Sequence, residues 1–266
     1  MRRRSTTSSW PFPPETREVQ FDEKWNFVGK KEKACDPANP ADARCGDNWD
    51  HTAVDPEHRL LLAIVPDKRT ARSCEALVGE VKQRTGGRTD LLITSDEHAP
   101  YATAIKKAYG TSAPESKVRK GSQRSVESMP DDLCYATVCK TRKRGRVVNV
   151  VRIVVFGALA LLTAYLARSK ASSTINTSFV ERNNGTDRGQ NARKARKTYC
   201  FSKDWSIHIA MTFFVAYTYN FCWPVRTLRH RSPDGLWEHV TPAMAAGLAD
   251  HVWTLLEWIT LPARPP

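Results

Sequence analysis

Apolar and polar residues along this chain fall into short segments whose periods predict strands alternating with helices. Glu18 to Phe27 reads as a first strand, and the charged, Pro-containing stretch from Gly29 to Gly46 reads as a loop. Asn48 to Val54 and Arg59 to Val65 form an expected antiparallel hairpin, joined by the turn residues Asp55, Pro56, Glu57 and His58. Thr70 is placed to cap a helix that runs to about Arg84. Along it Ala71, Cys74, Leu77, Val78 and Val81 recur at helical spacing, and Gly86-Gly87 ends it. Leu91 to Thr94 is then a short buried strand that leads into Asp96, and Pro100 opens a helix to Tyr109 that Gly110 stops.

From Thr111 to Asp132 the chain turns to Ser, Lys, Arg and Pro without periodicity, which predicts a mobile loop able to touch a polyanion. Leu133 to Lys140 and Val147 to Phe156 are two further strands, separated by the basic turn Thr141 to Arg146. Residues 147–167 are long and apolar enough to span a bilayer, so a single-pass membrane protein without catalysis is the alternative reading. Asn149 and Arg152 interrupt that run, however, and a central Arg costs about 2.5–3.5 kcal/mol on insertion scales. Its composition also changes at Gly157, from β-branched Val and Ile to Ala, Leu and Tyr, which predicts a strand, a glycine turn and a helix in series. Beyond it, Arg182 to Lys203 is helical in character and cationic, Ile207 to Tyr219 is an apolar helix, and Pro242 to Leu261 holds a further helix or two. The organisation expected is a disordered basic tail (1–17), a main α/β domain (18–230) and a C-terminal helical extension packed on it (231–266).

Charge narrows the partners. Forty-one Lys and Arg against 28 Asp and Glu leave a formal charge of +13, which favours nucleic acid over an anionic membrane surface. The seven cysteines form no Cys-x-x-Cys pair and no zinc-finger spacing, so they read as reduced thiols of a cytoplasmic protein.

The candidate chemistry lies in three acid-bearing segments: Val19 to Glu23, Leu91 to Asp96, and Thr177 to Asn184. Each places a carboxylate where an apolar stretch gives out, and several such acids brought together repel one another unless a cation joins them. Hard oxygen donors without a matching His or Cys cluster favour Mg²⁺ or Mn²⁺, ions that bind one or two carboxylates together with substrate phosphate. That combination predicts phosphoryl chemistry on a polyanion.

The residues Asp22-Glu23-Lys24-Trp25-Asn26-Phe27-Val28-Gly29-Lys30-Lys31, Thr94-Ser95-Asp96-Glu97-His98-Ala99-Pro100-Tyr101 and Thr177-Ser178-Phe179-Val180-Glu181-Arg182-Asn183-Asn184 resemble, in this order, the catalytic blocks of bacterial insertion-sequence transposases of the DDE type. Similar blocks continue through Thr198 to Lys203, Tyr219 to Trp223 and Thr241 to Leu248, so the resemblance covers roughly residues 18 to 260. It implies an α/β ribonuclease-H-like fold with a mixed five-stranded sheet and helices on both faces. It also implies metal-dependent DNA strand cleavage and strand transfer, with Asp22, Asp96 and Glu181 holding two Mg²⁺ (or Mn²⁺) ions. Glu23 and His98 would support these ligands, and Arg182, Arg188, Arg193, Lys194, Arg196 and Lys197 would contact DNA phosphates. The partners implied are DNA, further copies of the chain in the DNA complex, and a separate end-recognition polypeptide. This last follows because the 21 residues before Asp22 are too few for the zinc-binding or helix-turn-helix module such transposases carry, which also leaves a catalytically decayed DNA-binding remnant as a second alternative reading. A second departure is Glu97, where relatives often have glycine; a fourth acid there adds negative charge beside the metal ligands.

Overall fold

In the computed structural model, residues 15–113 and 126–260 are described. Three long strands, β1 (Glu18–Val28), β2 (Gly46–Asp55) and β3 (Leu60–Asp67), form an antiparallel meander. The β2–β3 turn is closed by the Asp55 carboxylate, which accepts the N–H groups of Glu57 at 2.8 Å and His58 at 3.2 Å. Helix α1 (Ala71–Arg84) starts where Thr70 accepts the Ser73 N–H. Strand β4 (Leu92–Asp96) then runs parallel to β1, α2 (Pro100–Tyr109) follows, and β7 (Cys134–Lys143) lies parallel to β4. Between α2 and β7, β5 (Thr111–Ala113) pairs with β6 (Val126–Ser128). The predicted loop from Thr111 to Asp132 therefore carries a short antiparallel ladder, and its residues 114–125 lie outside the described residues.

The sheet is mixed and six-stranded, in the order β3-β2-β1-β4-β7-β8, one strand more than the five expected. The sixth is β8 (Arg146–Phe156), which folds back antiparallel on β7 through Arg144 and Gly145, both at positive φ. Helices cover both faces. Residues Val19, Phe21 and Ile93 point to one side, into a core shared with α1 and α2. Their neighbours, Leu92 on β4 and Val54 on β2, point to the other, towards α3 (Leu159–Arg168), α4 (Ser178–Gln190) and α5 (Trp205–Cys222). This architecture is compatible with a ribonuclease-H-like fold.

Several expectations change at the ends of elements. Thr16 is buried and donates to Asp55 at 2.8 Å, and the Arg17 carbonyl accepts the Leu92 N–H, so the final residues of the expected basic tail are fixed to the sheet. Residues 1–14 lie outside those described. The cationic helix expected from Arg182 to Lys203 stops at Gln190, where the Asn191 N–H bonds back to Asp187 and the chain turns. After α5 come a hairpin of β9 (His230–Arg231) and β10 (Trp237–Glu238) and two short helices, α6 (Pro242–Ala245) and α7 (Leu255–Thr260). Helix is therefore a minor part of residues 231–260.

The apolar run 147–167 is a strand, a turn and a helix, and among the described residues no helix is long and apolar enough to cross a membrane. The turn is Gly157, at φ +91°, where an added Cβ would stand 2.8 Å from the Leu133 carbonyl oxygen and 3.1 Å from Cys134 Cα. Both obstacles are backbone, so neither yields easily. Gly157→Ala is expected to cost about 1–3 kcal/mol in urea unfolding. An unchanged midpoint would contradict this junction.

Candidate active site

The site arises where two parallel strands part. β1 and β4 are paired only at Glu18/Leu92, Val19/Ile93 and Gln20/Thr94. Beyond that point β1 stays with β2 as far as Val28, whereas β4 stays with β7 through Asp96/Val138. A cleft opens between them, the usual place for a ligand in an open α/β sheet. Asp22 and Asp96 each lie two residues past the last β1–β4 pair, one on either wall. Asp22 is thus a mid-strand residue, because β2 continues to pair with β1 beyond it, and Asp96 ends its strand.

The third wall is α4, and its position is fixed by β1. The side chains of β1 that face α4 are polar, and each has a partner. Gln20 Oε1 accepts the N–H groups of Phe179 at 3.0 Å and Val180 at 3.2 Å, and Gln20 Nε2 donates to Asn176 at 3.2 Å. A strand side chain thereby satisfies the free N–H groups of the first helical turn, a task usually left to a cap residue next to the helix. Glu181 follows in that first turn. One turn later Asn184 donates to Asp22 Oδ2 at 2.8 Å, and a further turn on Arg188 donates to the Trp25 carbonyl at 3.3 Å.

The resulting open cleft, about 490 Å³, brings together Asp22, Asp96 and Glu181 from three distant segments of sequence. Glu23, Glu97 and Thr177 line it too, as do the cations Lys24, Lys140, Arg142 and Arg188. Negative charge sits among the strand ends, with basic side chains around it. Burial, reinforced by the neighbouring Asp96 and Glu23 carboxylates, pushes the Asp22 carboxyl up to about 7. Asp96 is also raised, by burial and then by Glu23. These are the signs of acids crowded together, where burial and mutual repulsion outweigh the nearby cations. Glu181 is held differently: its Oε1 accepts from Lys140 Nζ and, at 2.8 Å, from Thr177 Oγ1. Among the described residues no three His, Cys, Asp or Glu side chains are grouped closely enough to hold one ion.

The other predicted residues divide. Glu23 is buried in the wall and pairs with Arg69 at 3.0 Å. His98 donates its backbone N–H to Asp96 Oδ1 at 3.1 Å, while its ring packs edge-on against Tyr101, so it braces an acid through its main chain. Arg182 is exposed on α4, and Arg196 and Lys197 are exposed on the turn that follows it. Arg193 is half-buried there. Lys194 is not available to DNA: it is 4% exposed and paired with Asp50 at 2.8 Å beneath the sheet's surface. The ending of α4 at Gln190 turned it inward. Gln20, Lys140, Arg142, Thr177 and Asn184 were not singled out from sequence. Gln20 and Asn184 carried little signal, because each sits in an element rich in other polar residues. Lys140 and Arg142 carried none beyond general basicity.

No family model and no curated protein matches this chain. Among solved structures, a Mos1 transposase paired-end complex with left transposon end shows a weak likeness, with 19% identity and a TM-score of 0.23. The match covers 35% of this chain and 33% of that one, so the chain spans about a third of the length of the protein it matches.

Proposed function

We propose that this chain cleaves DNA strands and transfers their ends in a divalent-metal-dependent reaction of the DDE transposase type. The observation that supports it is the parting of β1 and β4, which sets Asp22 and Asp96 on facing walls under Glu181, inside a basic rim. The donor chemistry fits a hard divalent cation at Asp22 and Asp96, whose carboxyls are raised by burial and by their neighbouring acids. Glu181 completes the set only once Lys140 gives up its oxygen. A bound Mg²⁺ or Mn²⁺ supplies charge neutralisation at the phosphoryl oxygens and an activated water or 3′-hydroxyl.

The chain's own residues do the rest. Arg188, Arg142 and Lys140 face the cleft and hold the phosphates by charge, which positions DNA without reading its sequence. Asn184 keeps one Asp22 oxygen oriented, and the His98 N–H does the same for Asp96. Gln20 fixes the first turn of α4, and so the distance of Glu181 from the strands. DNA binding of this kind is nonspecific and weakens steeply with salt. Partners beyond DNA, further copies of the chain and a separate end-recognition polypeptide, belong to this same reading.

The test uses the purified chain with end-labelled duplex DNA in Mg²⁺, in Mn²⁺ and in EDTA. Nicking and joined products are expected with either metal and neither with EDTA. A folded chain that binds DNA and gives no product in either metal would refute the proposal.

A further inference from the structure

On the side of the sheet that faces α1, β1 presents Phe21, Glu23, Trp25 and Phe27 in alternation. Phe21 is wholly buried, whereas Trp25 and Phe27 remain half-exposed beyond the cleft wall. Their rings are 5.9 Å apart, and Phe27 lies 4.8 Å from the ring of Phe201. Phe201 is held there because the Gly29 N–H bonds to the Ser202 carbonyl at 2.7 Å, stitching that segment to the end of β1. Across the strand pair, Trp49 is the register partner of Trp25. A line of four half-exposed aromatic residues results.

Each part of this line carries a cation. Arg69 stands 4.8 Å over Trp49, Lys31 stands 5.8 Å from Trp25 and 5.9 Å from Phe27, and Lys203 stands over Phe201. The line is also continuous with the cleft, since Arg69 pairs with Glu23 in the cleft wall and Arg188, which faces the cleft, donates to the Trp25 carbonyl. Rings alone would suit any apolar partner. Rings interleaved with Lys and Arg, on a chain of charge +13, match a ligand with flat apolar faces joined by phosphates.

We propose that Trp49, Trp25, Phe27 and Phe201 form a stacking platform for the bases of single-stranded DNA leading out of the cleft. This rests on the reading that the cleft handles DNA. It adds that the strand next to the cleft is unpaired, since bases inside a duplex have no free face to offer these rings. Lys31, Arg69 and Lys203 hold the backbone that joins the stacked bases.

The experiment measures fluorescence anisotropy of three labelled probes of equal length in EDTA: oligo(dT), an abasic strand and a duplex. The protein is the wild type, Phe27→Leu, Phe201→Leu or Lys31→Ala. The wild type is expected to bind oligo(dT) on the order of tenfold more tightly than the abasic strand. Either Phe→Leu change should remove most of that difference while leaving duplex affinity within about twofold. Lys31→Ala should weaken both single strands. Equal wild-type affinity for oligo(dT) and the abasic strand would overturn the platform, and that comparison stands even if a Phe variant fails to fold. Because no metal is present, the outcome is independent of cleavage. Nicking activity without base-dependent binding would remove the platform and keep the nuclease, and the opposite pair of results would do the reverse.

Discussion

Asp22→Asn is expected to abolish metal-dependent nicking, a fall on the order of a thousandfold, while making the metal-free protein more stable at pH 8. Both effects have one cause. Asp22 is crowded by Asp96 and Glu23 in a poorly solvated wall, which raises its carboxyl from the ordinary 3.8 to about 7. Between those two values the folded protein holds a proton that the unfolded chain has released. Stability must then fall as pH rises across that window, and the deficit is complete above about pH 7. At about 1.4 kcal/mol per pK unit, the relief from removing the charge is a few kcal/mol. Asn keeps an oxygen for the Asn184 donor, so little geometry is lost. In urea unfolding with EDTA, wild-type stability should decline from pH 4 to 8, and the variant's curve should be flatter. Adding Mg²⁺ should raise the wild-type midpoint and leave the variant unmoved. Asp96→Asn and Glu181→Gln should lose nicking to a similar degree. Parallel pH curves for wild type and Asp22→Asn would contradict the crowded-acid picture, whatever the nicking assay gives.

The elements were legible where side chains alone decide them. The period of Ala71 to Val81 gave α1, and the change of composition at Gly157 gave a strand and a helix where a hydropathy plot sees one span. Asp22 and Asp96 stood out because each follows an apolar stretch, whereas Glu181 stood out only through the likeness of its block to a known one; the structure places all three along one cleft. What escaped was set by distant partners. The end of α4 depends on a turn at Asn191 and on Lys194 reaching Asp50, 144 positions earlier in the chain, and no local pattern reports that. The sixth strand was visible as a segment, but its pairing with β7 is a matter of sheet topology. Charge runs were the least reliable signal. Lys194 and Arg196 look alike in sequence, yet one is buried in an ion cluster and the other lies in solvent.

That ion cluster is where a single substitution should cost the fold most. Asp50 is wholly buried, with Lys24 at 3.4 Å and Lys194 at 2.8 Å, and it accepts from Asn26 at 3.0 Å and Asn48 at 3.3 Å. Burial alone would raise its carboxyl, but Lys194 and Lys24 hold it well below the usual carboxylate range. Asp187 on α4 shares both lysines, so the cluster ties β1, β2, α4 and the turn after α4 into one unit. Near pH 5 Asp50→Ala leaves two buried ammonium groups with one carboxylate between them, and is expected to cost about 3–5 kcal/mol in urea unfolding there. Asp50 is ionised in folded and unfolded chains alike above about pH 5, but burial holds Lys24 down to about 7 and the loss of Asp50 lowers it further. The loss should therefore be largest near pH 5, shrink as pH rises towards 7 while Lys24 sheds its proton, and shrink also in stronger acid. If the cost is an unpaired charge and not a lost shape, adding Lys194→Met to Asp50→Ala should recover part of it, because the second change removes the surplus cation. Simple additivity of the two losses would argue instead for packing. Nicking should fall with Asp50→Ala as well. Lys24 borders the cleft and Asp187 lies on the same helix as Glu181, so loosening the cluster frees α4 from the strands that carry the other two acids.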